Sequence, residues 1–445
     1  MEQPDSTLTT RQVLLSPGYL RLLVLCLLLG VPIALASFFF VGLQHTVQHQ
    51  IWEVLPQAVG YHRAPWWWPL PALLLAGLIV ALVVTRFPGG GGHVPVQGLG
   101  GPPLGPKALP GVAVAALATL PLGVVLGPEA PLMAVGSGLA LLAVRALQQA
   151  PDAPGTPVLA TAGSTAAIST ILGGPLTGAV MVVEGAGLGG SRLVVLLLPC
   201  LLTSAAGSLV FTGFGHWTGL STGALALPRL PPDTVPDAGD FLWGVPLAVL
   251  IALLIAAARA LGRRTHRLVS GHTVMATVAC AVAVGGCLAC YALLTGRSPE
   301  EAALSGQQTL GRLAGQPSAW PVAALVALVA CKGLAWALCL GAMRGGPIFP
   351  ALLIGAATAV ACAPLPGLGT TPALALGMAA AAAAVTGLPL TSAVLAVLLL
   401  GADARQQMPL IVIASVVAFV TVQLLPVERR GRRAPGRTAG RAVRR

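Results

Sequence analysis

Fourteen apolar segments follow one another along the 445 residues, and several of them are only 11 to 17 residues long. A hydrocarbon core about 30 Å thick needs roughly 20 helical residues to cross, so the shorter segments must be half-helices, tilted helices or helices buried within protein. With 56% hydrophobic and only 9% charged residues, the composition excludes a water-soluble fold. We predict an all-α polytopic membrane protein with many tilted, partly non-spanning helices. The segments lie near 19–43, 66–87, 108–126, 130–148, 156–172, 175–186, 193–213, 241–261, 271–295, 318–343, 348–364, 371–385, 388–400 and 408–426.

Breaks rich in glycine and proline separate several of these segments. The most marked breaks lie at 88–92, 98–106 and 345–350. Irregular backbone at membrane depth is tolerated only where it lines a cavity or is sheltered by other protein. We therefore expect these breaks to border a cavity or to be enclosed by the protein.

Two short motifs occur twice, in the same order. Gly-Pro-Glu-Ala-Pro at 127–131 and Gly-Pro-Ile-Phe-Pro at 346–350 are each followed by a glycine at the same spacing, and Pro-Leu-Thr-Gly-Ala-Val at 175–180 is matched at 389–394. Two coincidental Gly/Pro loops are the alternative, but the ordered second match favours a duplication. Paired broken segments in two halves point to a transport site at the repeat interface. The predicted integral domain at 19–426 has two halves, at about 19–213 and 238–426.

Positive charge is concentrated at the end of the chain. Eight arginines at 429–445 account for +8 of the net charge of +12, because that stretch contains no acid. A basic tail directly after an apolar segment is typical of the cytoplasmic side, with lipid headgroups as its partner. We predict a polar segment at 1–18, a basic cytoplasmic tail at 427–445 and a multi-pass protein of the plasma (cell inner) membrane. No aromatic residue or folded module accompanies the arginines, so we expect no nucleic acid partner.

Each Gly-Pro-x-x-Pro motif predicts the start of a helix. Proline costs nothing in the first turn, where its missing N–H would have no intrahelical partner. A helix start exposes backbone N–H groups at the positive end of the helix dipole, and such ends bind anions, each contributing about 0.3–1 kcal/mol at a surface. Two helix starts directed at one point would attract a small anion and still release it.

Only two acidic residues, Glu129 and Glu184, lie within the apolar segments. A carboxylate at the centre of a membrane helix costs on the order of 3 kcal/mol, so an intramembrane glutamate is a functional candidate. Because Glu129 is the third residue of a helix-start motif, its carboxylate can occupy the anion site and leave it when protonated. The alternative for Glu129 is a first-turn acid that complements its own helix dipole. For Glu184 the alternatives are a proton relay and a hydrogen bond to a neighbouring helix end.

Three further features leave alternatives open. His93 offers a polar group or a pH-sensitive charge, or is simply solvated. Arg344 either adds positive field near the second helix start or anchors a membrane boundary. The cysteines, including Cys287 and Cys290, lie in apolar stretches without a second pair or a histidine cluster. We interpret them as small hydrophobic side chains and expect no metal site and no cofactor.

Function classes other than transport find little support in the sequence. A membrane-embedded hydrolase needs a nucleophile with a base within reach. Ser137 and Ser164 are available, but no apolar segment supplies a His-Asp partnership. A structural membrane scaffold is the remaining alternative. We therefore expect a transporter and not an enzyme.

At its paired motifs the chain resembles the CLC family of chloride channels and proton/chloride exchangers. Residues 127–131 are similar to the family's Gly-Arg/Lys-Glu-Gly-Pro signature, residues 345–350 are similar to its Gly-x-Phe-x-Pro helix start, and residues 91–95 stand where the family has Gly-Ser-Gly-Ile-Pro. Segments 175–184 and 389–398 resemble the paired short helices at the family's subunit interface.

The resemblance covers about residues 19–426 and implies an inverted-repeat bundle that forms a homodimer in the lipid bilayer, with one anion pathway per subunit. It implies that Glu129 is a gate that swings between the anion site and solvent. The transported ligand would be chloride or a similar monovalent anion, joined by protons in an exchanger. The implied anion-binding positions are Gly92, His93, Ala130, Ile348 and Phe349.

Several residues depart from the family's pattern. Gly92 replaces the serine whose hydroxyl binds the central anion, and the family's late tyrosine has no counterpart. Pro128 replaces the signature's basic residue, which removes a charge at the outer entrance. Pro347 removes a backbone donor, which leaves the amides of Ile348 and Phe349 as the better candidates.

The residue after Glu184 bears on the mechanism. Exchangers of the family usually carry a second, internal proton-transfer glutamate directly after the conserved one, and here that position is Gly185. This favours a chloride channel, with a proton-coupled chloride antiporter as the alternative. A one-residue shift of the alignment would give Glu184 the proton-transfer role, so Glu184 and Gly185 mark the candidate proton pathway.

Overall fold

The fold is built from helices throughout the part of the chain that the structure describes. The computed structural model describes residues 10–98, 104–147, 155–172, 174–219, 227, 235–401 and 404–426. The α-helices are α1 (Thr10–Leu14), α2 (Pro17–His49), α3 (Leu55–Ala58), α4 (Pro69–Arg86), α5 (Leu109–Thr119), α6 (Glu129–Ala146), α7 (Thr156–Ile171), α8 (Pro175–Gly185), α9 (Gly190–Thr218), α10 (Ala238–Gly271), α11 (Thr273–Thr295), α12 (Gln307–Gly315), α13 (Val322–Ala342), α14 (Ile348–Ala361), α15 (Thr370–Thr386), α16 (Pro389–Leu400) and α17 (Ala404–Leu424). A π-helical turn covers Gln50–Val54, and 3-10 turns cover Pro88–Gly91, Pro95–Gln97, Pro106–Ala108, Leu120–Leu122, Pro299–Glu301 and Pro317–Ala319.

Helix lengths divide the fold into spanning and non-spanning elements. Among the described residues, eight helices are long and apolar enough to cross a membrane, and they contain α2, α4, α6, α9, α10, α11, α13 and α17. Shorter apolar helices include α8, α14, α15 and α16. The prediction of a polytopic, all-α membrane protein with partly non-spanning helices is thereby confirmed.

All fourteen predicted apolar segments correspond to helices, and most of their ends differ by a few residues. The largest difference is at the predicted segment 241–261, because α10 continues to Gly271 through a polar last part. Helix α1 and the first turn of α2 lie within the predicted polar segment 1–18, which stays a prediction. The predicted tail at 427–445 lies outside the described residues. Sequence reasoning missed α12, because this short helix carries two glutamines and Arg312 and lacks an apolar run.

The predicted duplication corresponds to two runs of four helices, α6–α9 and α14–α17, in which α8 and α16 begin at the matching prolines. Gly136 of α6 meets Gly163 of α7, and Gly355 of α14 meets Gly377 of α15. A methyl group on any of these four glycines would overlap the backbone carbonyl of its partner. Small residues allow such close helix contacts in membranes. The boundaries of the two halves stay a prediction, since most of the connection between them is not described.

The centre of the molecule is formed by α14 and α15, which are both too short to span a bilayer. Every residue of α14 except its last is buried, and α15 is buried from Thr371 to Val385. These two helices pack on each other, and α10, α13 and α17 pack around them. Helices that end at membrane depth need protein around their termini, because lipid cannot satisfy the free backbone groups.

Candidate anion site

The two Gly-Pro breaks meet at the centre of the molecule. Gly127 and Gly346 form an isolated antiparallel bridge. The amide of Gly127 donates to the carbonyl of Gly346 at 2.8 Å, and the amide of Gly346 donates back to the carbonyl of Gly127 at 2.6 Å. These reciprocal bonds satisfy irregular backbone that lipid could not hydrogen-bond. They bring together two motifs that lie 219 positions apart in the sequence.

Each break is followed at once by a helix, as the motifs predict. Helix α6 begins at Glu129 after Pro128, and α14 begins at Ile348 after Pro347. Neither proline carries an N–H, so neither leaves an unpaired donor at the helix start. Neither N-cap proline offers a side-chain hydrogen bond to the helix that it precedes. The amides of the first turns therefore remain available to an anionic group.

The carboxylate of Glu129 reaches the start of α14. Its Oε1 accepts a hydrogen bond from the amide of Phe349 at 2.9 Å, and the amide of Ile348 also interacts with the carboxylate. Glu129 has no solvent exposure. Its second oxygen, Oε2, is buried and has no hydrogen-bond partner among the described residues. The carboxylate thus lies at a helix start of the kind that binds free anions.

The glycines of the bridge make room for this carboxylate. A methyl group at Gly127 or at Gly346 would overlap the carboxylate of Glu129. Gly345 adopts a φ of 154°, close to extended backbone, and a side chain there would meet Leu126 and the carbonyl of Gly127. These positions require glycine because a larger residue would not fit: the backbone of the second motif passes directly over the side chain of Glu129 in the first motif.

A third break, at 88–92, is tied to this site by Arg344. The guanidinium of Arg344 donates from Nε to the carbonyl of Gly90 at 2.9 Å and from Nη1 to the carbonyl of Met343 at 3.1 Å. Gly91 lies against the same side chain. Of the two interpretations of Arg344, the structure favours a cation between the breaks over an anchor at a membrane boundary.

The other implied anion-binding positions are half-buried. Gly92 ends the turn at 88–92 with φ 108° and ψ −170°, close to Val112, and His93 follows it directly. Ala130 is the second residue of α6. The roles of these three residues stay predictions, whereas Ile348 and Phe349 interact directly with the carboxylate of Glu129.

Glu184 binds the start of a neighbouring helix. Its Oε1 accepts from the amide of Leu390 at 2.8 Å, and its Oε2 accepts from the amide and the hydroxyl of Thr391, both at 2.7 Å. These bonds occupy both carboxylate oxygens at the start of α16. The structure therefore favours the interpretation of Glu184 as a helix-end partner. Gly185 is exposed, with no atom within 4 Å of the position that a Cβ would take.

Sequence reasoning missed Lys332, which lies fully buried in α13. Its ammonium donates to the carbonyls of Ala302 at 2.9 Å, Ala303 at 2.9 Å and Leu304 at 3.1 Å. The intramembrane-charge argument applied to acids would have found it, because Lys332 is one of only two lysines in the chain and stands inside an apolar segment.

The chain is similar to known ion-transport proteins. The family model described as voltage gated chloride channel matches residues 95–423. YfeO of Salmonella paratyphi A (strain ATCC 9150 / SARB42), named as an ion-transport protein by inference, is 28% identical over 338 residues, which cover 74% of this chain and 77% of that protein. YfeO of Salmonella newport (strain SL254) matches with the same identity and coverage.

Solved structures share the fold at low sequence identity. A slow cyanobacterial Cl−/H+ antiporter matches with a TM-score of 0.75 and 18% identity over 91% of this chain and 94% of that chain. A CLC-type fluoride/proton antiporter matches with a TM-score of 0.65 and 17% identity, over 93% of this chain and 96% of that chain. With the family match covering well over half of its length, the chain belongs to the voltage gated chloride channel (CLC) family and is a multi-pass membrane anion transporter.

Proposed function

We propose that the protein conducts chloride and similar monovalent anions and that the carboxylate of Glu129 is the gate. The observation that carries the proposal is the hydrogen bond from the Phe349 amide to Glu129, because the carboxylate there takes the place that a permeating anion would need. Protonation removes the negative charge that the helix start attracts. A neutral side chain then yields the site to an anion.

A channel is our leading mechanism. Glu184 uses both carboxylate oxygens to hold the start of α16, and Gly185 supplies no second acid. A proton route through these two positions therefore lacks a free carboxylate. The proton-coupled antiporter is the second candidate, because the structural relatives include Cl−/H+ and fluoride/proton antiporters. We further propose a homodimer in the cell inner membrane.

Replacing Glu129 by Gln tests the gate. The variant keeps the size of the side chain but loses the charge, so at neutral pH its chloride flux should rise by roughly tenfold, the factor expected from one charge-assisted hydrogen bond. Wild-type flux should increase as the pH falls, and the variant's flux should stay flat. The measurement is chloride efflux from reconstituted vesicles, recorded with chloride and pH electrodes together.

The control is Glu53→Gln, since Glu53 lies in the π-helical turn beyond α2 with its side chain 43% exposed. This change should leave the pH profile unaltered. An unchanged pH profile in Glu129→Gln would defeat the gate assignment. Protons that are pumped by an imposed chloride gradient would exclude the channel and favour the antiporter.

A further inference from the structure

A polar cavity lies where the end of α2 meets the turn at Pro299–Glu301 and the start of α12. Its cavity volume is about 20 Å³, room for one small ligand. Its lining includes Gln48, Glu300, Ser305, Gln307 and Arg312, all polar or charged in a protein with only 9% charged residues. We call this cavity the antechamber. So dense a polar lining suits a hydrated or ionic ligand.

Gln48 indicates that the antechamber is a binding site. Its side chain is 93% buried, since only 7% of its surface is exposed, and it lines the cavity. Within the described part of the chain, its amide group has no hydrogen-bond partner. Its amide N–H groups are free to bind a ligand in the antechamber, and such donors suit an anion.

The start of α12 supplies backbone donors at the same place. This nine-residue helix begins at Gln307 after Gly306, which has a φ of 88°, and Leu304 before it has a φ of 60°. The Gln307 amide meets only the hydroxyl of Ser305, at 3.5 Å. The helix start therefore adds its positive dipole end to the antechamber.

Two opposite charges face each other across the antechamber. The guanidinium of Arg312 attracts an anion, and the carboxylate of Glu300 repels one. Burial raises the pKa of the Glu300 carboxyl, and Arg312 opposes that shift. No hydrogen bond or ion pair within 4 Å joins the two side chains in the described structure. Arg312 thus keeps donors available to a ligand in the antechamber.

The residues 302–306, which form the floor of the antechamber, contact segments close to Glu129. Leu304 donates its amide to the carbonyl of Gly123, four residues before the bridge of the two breaks, at 3.4 Å. Gly306 lies against Leu353, one helical turn after Phe349 in α14. The three carbonyls of 302–304 that bind Lys332 hold this floor in place. The backbone that lines the antechamber therefore contacts both the segment before the bridge and the helix α14 whose start binds Glu129.

We propose that the antechamber is a second anion site, in which a halide-sized monovalent anion binds between solvent and the Glu129 gate, held by Gln48, Arg312 and the start of α12. The proposal rests on the proposed function, because it names an additional site on the same pathway.

Bromide locates the site directly. Crystals of the full chain grown in bromide should show an anomalous peak in the antechamber beside Gln48 and Arg312, and the peak should be lost in Gln48→Leu. In Glu129→Gln, a separate peak should appear at the Phe349 amide. A peak at Phe349 without one in the antechamber would overturn this inference and leave the proposed function intact. Absence of both peaks would count against both.

Charge substitutions provide a second readout with opposite signs. Removing one unit charge about 6 Å from an anion in water-like surroundings changes its occupancy by about threefold. Arg312→Gln should therefore raise the half-saturating chloride concentration about threefold, and Glu300→Gln should lower it by a similar factor. Both shifts should shrink at high ionic strength set by an impermeant salt.

The matched control is Arg264→Gln, since Arg264 is exposed near the end of α10, and the 23 residues of α11 lie between that end and the antechamber. This variant should keep the wild-type half-saturation. Equal shifts in all three variants, or shifts of the same sign in Arg312→Gln and Glu300→Gln, would contradict a local anion site. Glu300→Gln keeps the test valid if Arg312→Gln fails to fold.

Discussion

At the scale of single residues, the turn at 88–92 shows how backbone conformation restricts chemistry. Its four glycines all have positive φ values, and Gly92 combines φ 108° with ψ −170°, a region that is essentially limited to glycine. Val112 is in ordinary van der Waals contact with the position of a Cβ, so space is not the obstacle. The missing serine hydroxyl at this position follows from the conformation of the turn.

We expect Gly92→Ala to destabilise the protein by about 1–3 kcal/mol, because alanine cannot adopt this conformation without strain. Thermal unfolding in detergent measures the change. Gly286→Ala is the matched control, since Gly286 lies within α11 with nothing within 4 Å. That substitution should stabilise the helix by about 0.5–1 kcal/mol. Equal behaviour of the two variants would show that the turn tolerates a side chain.

At the scale of helices, a carboxylate from one repeat closes the start of a helix from the other. Glu184 near the end of α8 binds the first turn of α16, and these are the two elements that the matching prolines begin. A carboxylate at a helix start satisfies free amides and complements the dipole. The contact gives Glu184 a structural role inside the membrane, so its presence there requires no proton route.

Glu184→Gln should lower stability by about 1–2 kcal/mol, because the neutral amide keeps one acceptor oxygen and turns its NH2 group toward a donor that the carboxylate had bound. Chloride flux per folded protein and its pH profile should stay near the wild-type values. Thermal unfolding and vesicle flux on the same preparation provide the two readouts. Proton movement in the wild type that disappears in this variant would assign Glu184 to a proton relay.

At the scale of the whole molecule, α8 and α16 touch each other and present apolar side chains outward. Leu176 and Leu390 occupy the second position of their helices and are 59% and 54% exposed. The family resemblance places these two short helices at a subunit interface. A homodimer would bury these leucines against a second copy, with a separate anion pathway in each subunit.

We expect a protein mass near twice 44.7 kDa in detergent, measured by light scattering after subtraction of bound detergent. Leu390→Trp should shift the mass toward the monomer, because a bulky ring fits lipid but disrupts a packed interface. Leu75→Trp is the control, since Leu75 in α4 is 50% exposed outside the proposed interface. A monomeric wild type, or dissociation in the control alone, would refute the interface.

The sequence predicted the helices well because their signals are local. Length, hydropathy and the prolines of the two motifs determine where each apolar helix begins, and α6, α8, α14 and α16 start where the motifs place them. The amphipathic α12 escaped, because nine residues without an apolar run carry no membrane signal. Lys332 escaped although the argument from intramembrane charge covers cations as well as acids; only its three carbonyl partners required the folded structure.

The sequence by itself determined the membrane class, the repeated breaks and the candidacy of Glu129, since each follows from the energetic cost of charge and irregular backbone in lipid. Only the tertiary structure decided that Glu129 reaches the Phe349 amide and that Glu184 serves a helix start. Those contacts join residues more than 200 positions apart, and helix packing alone determines which helix start each carboxylate meets.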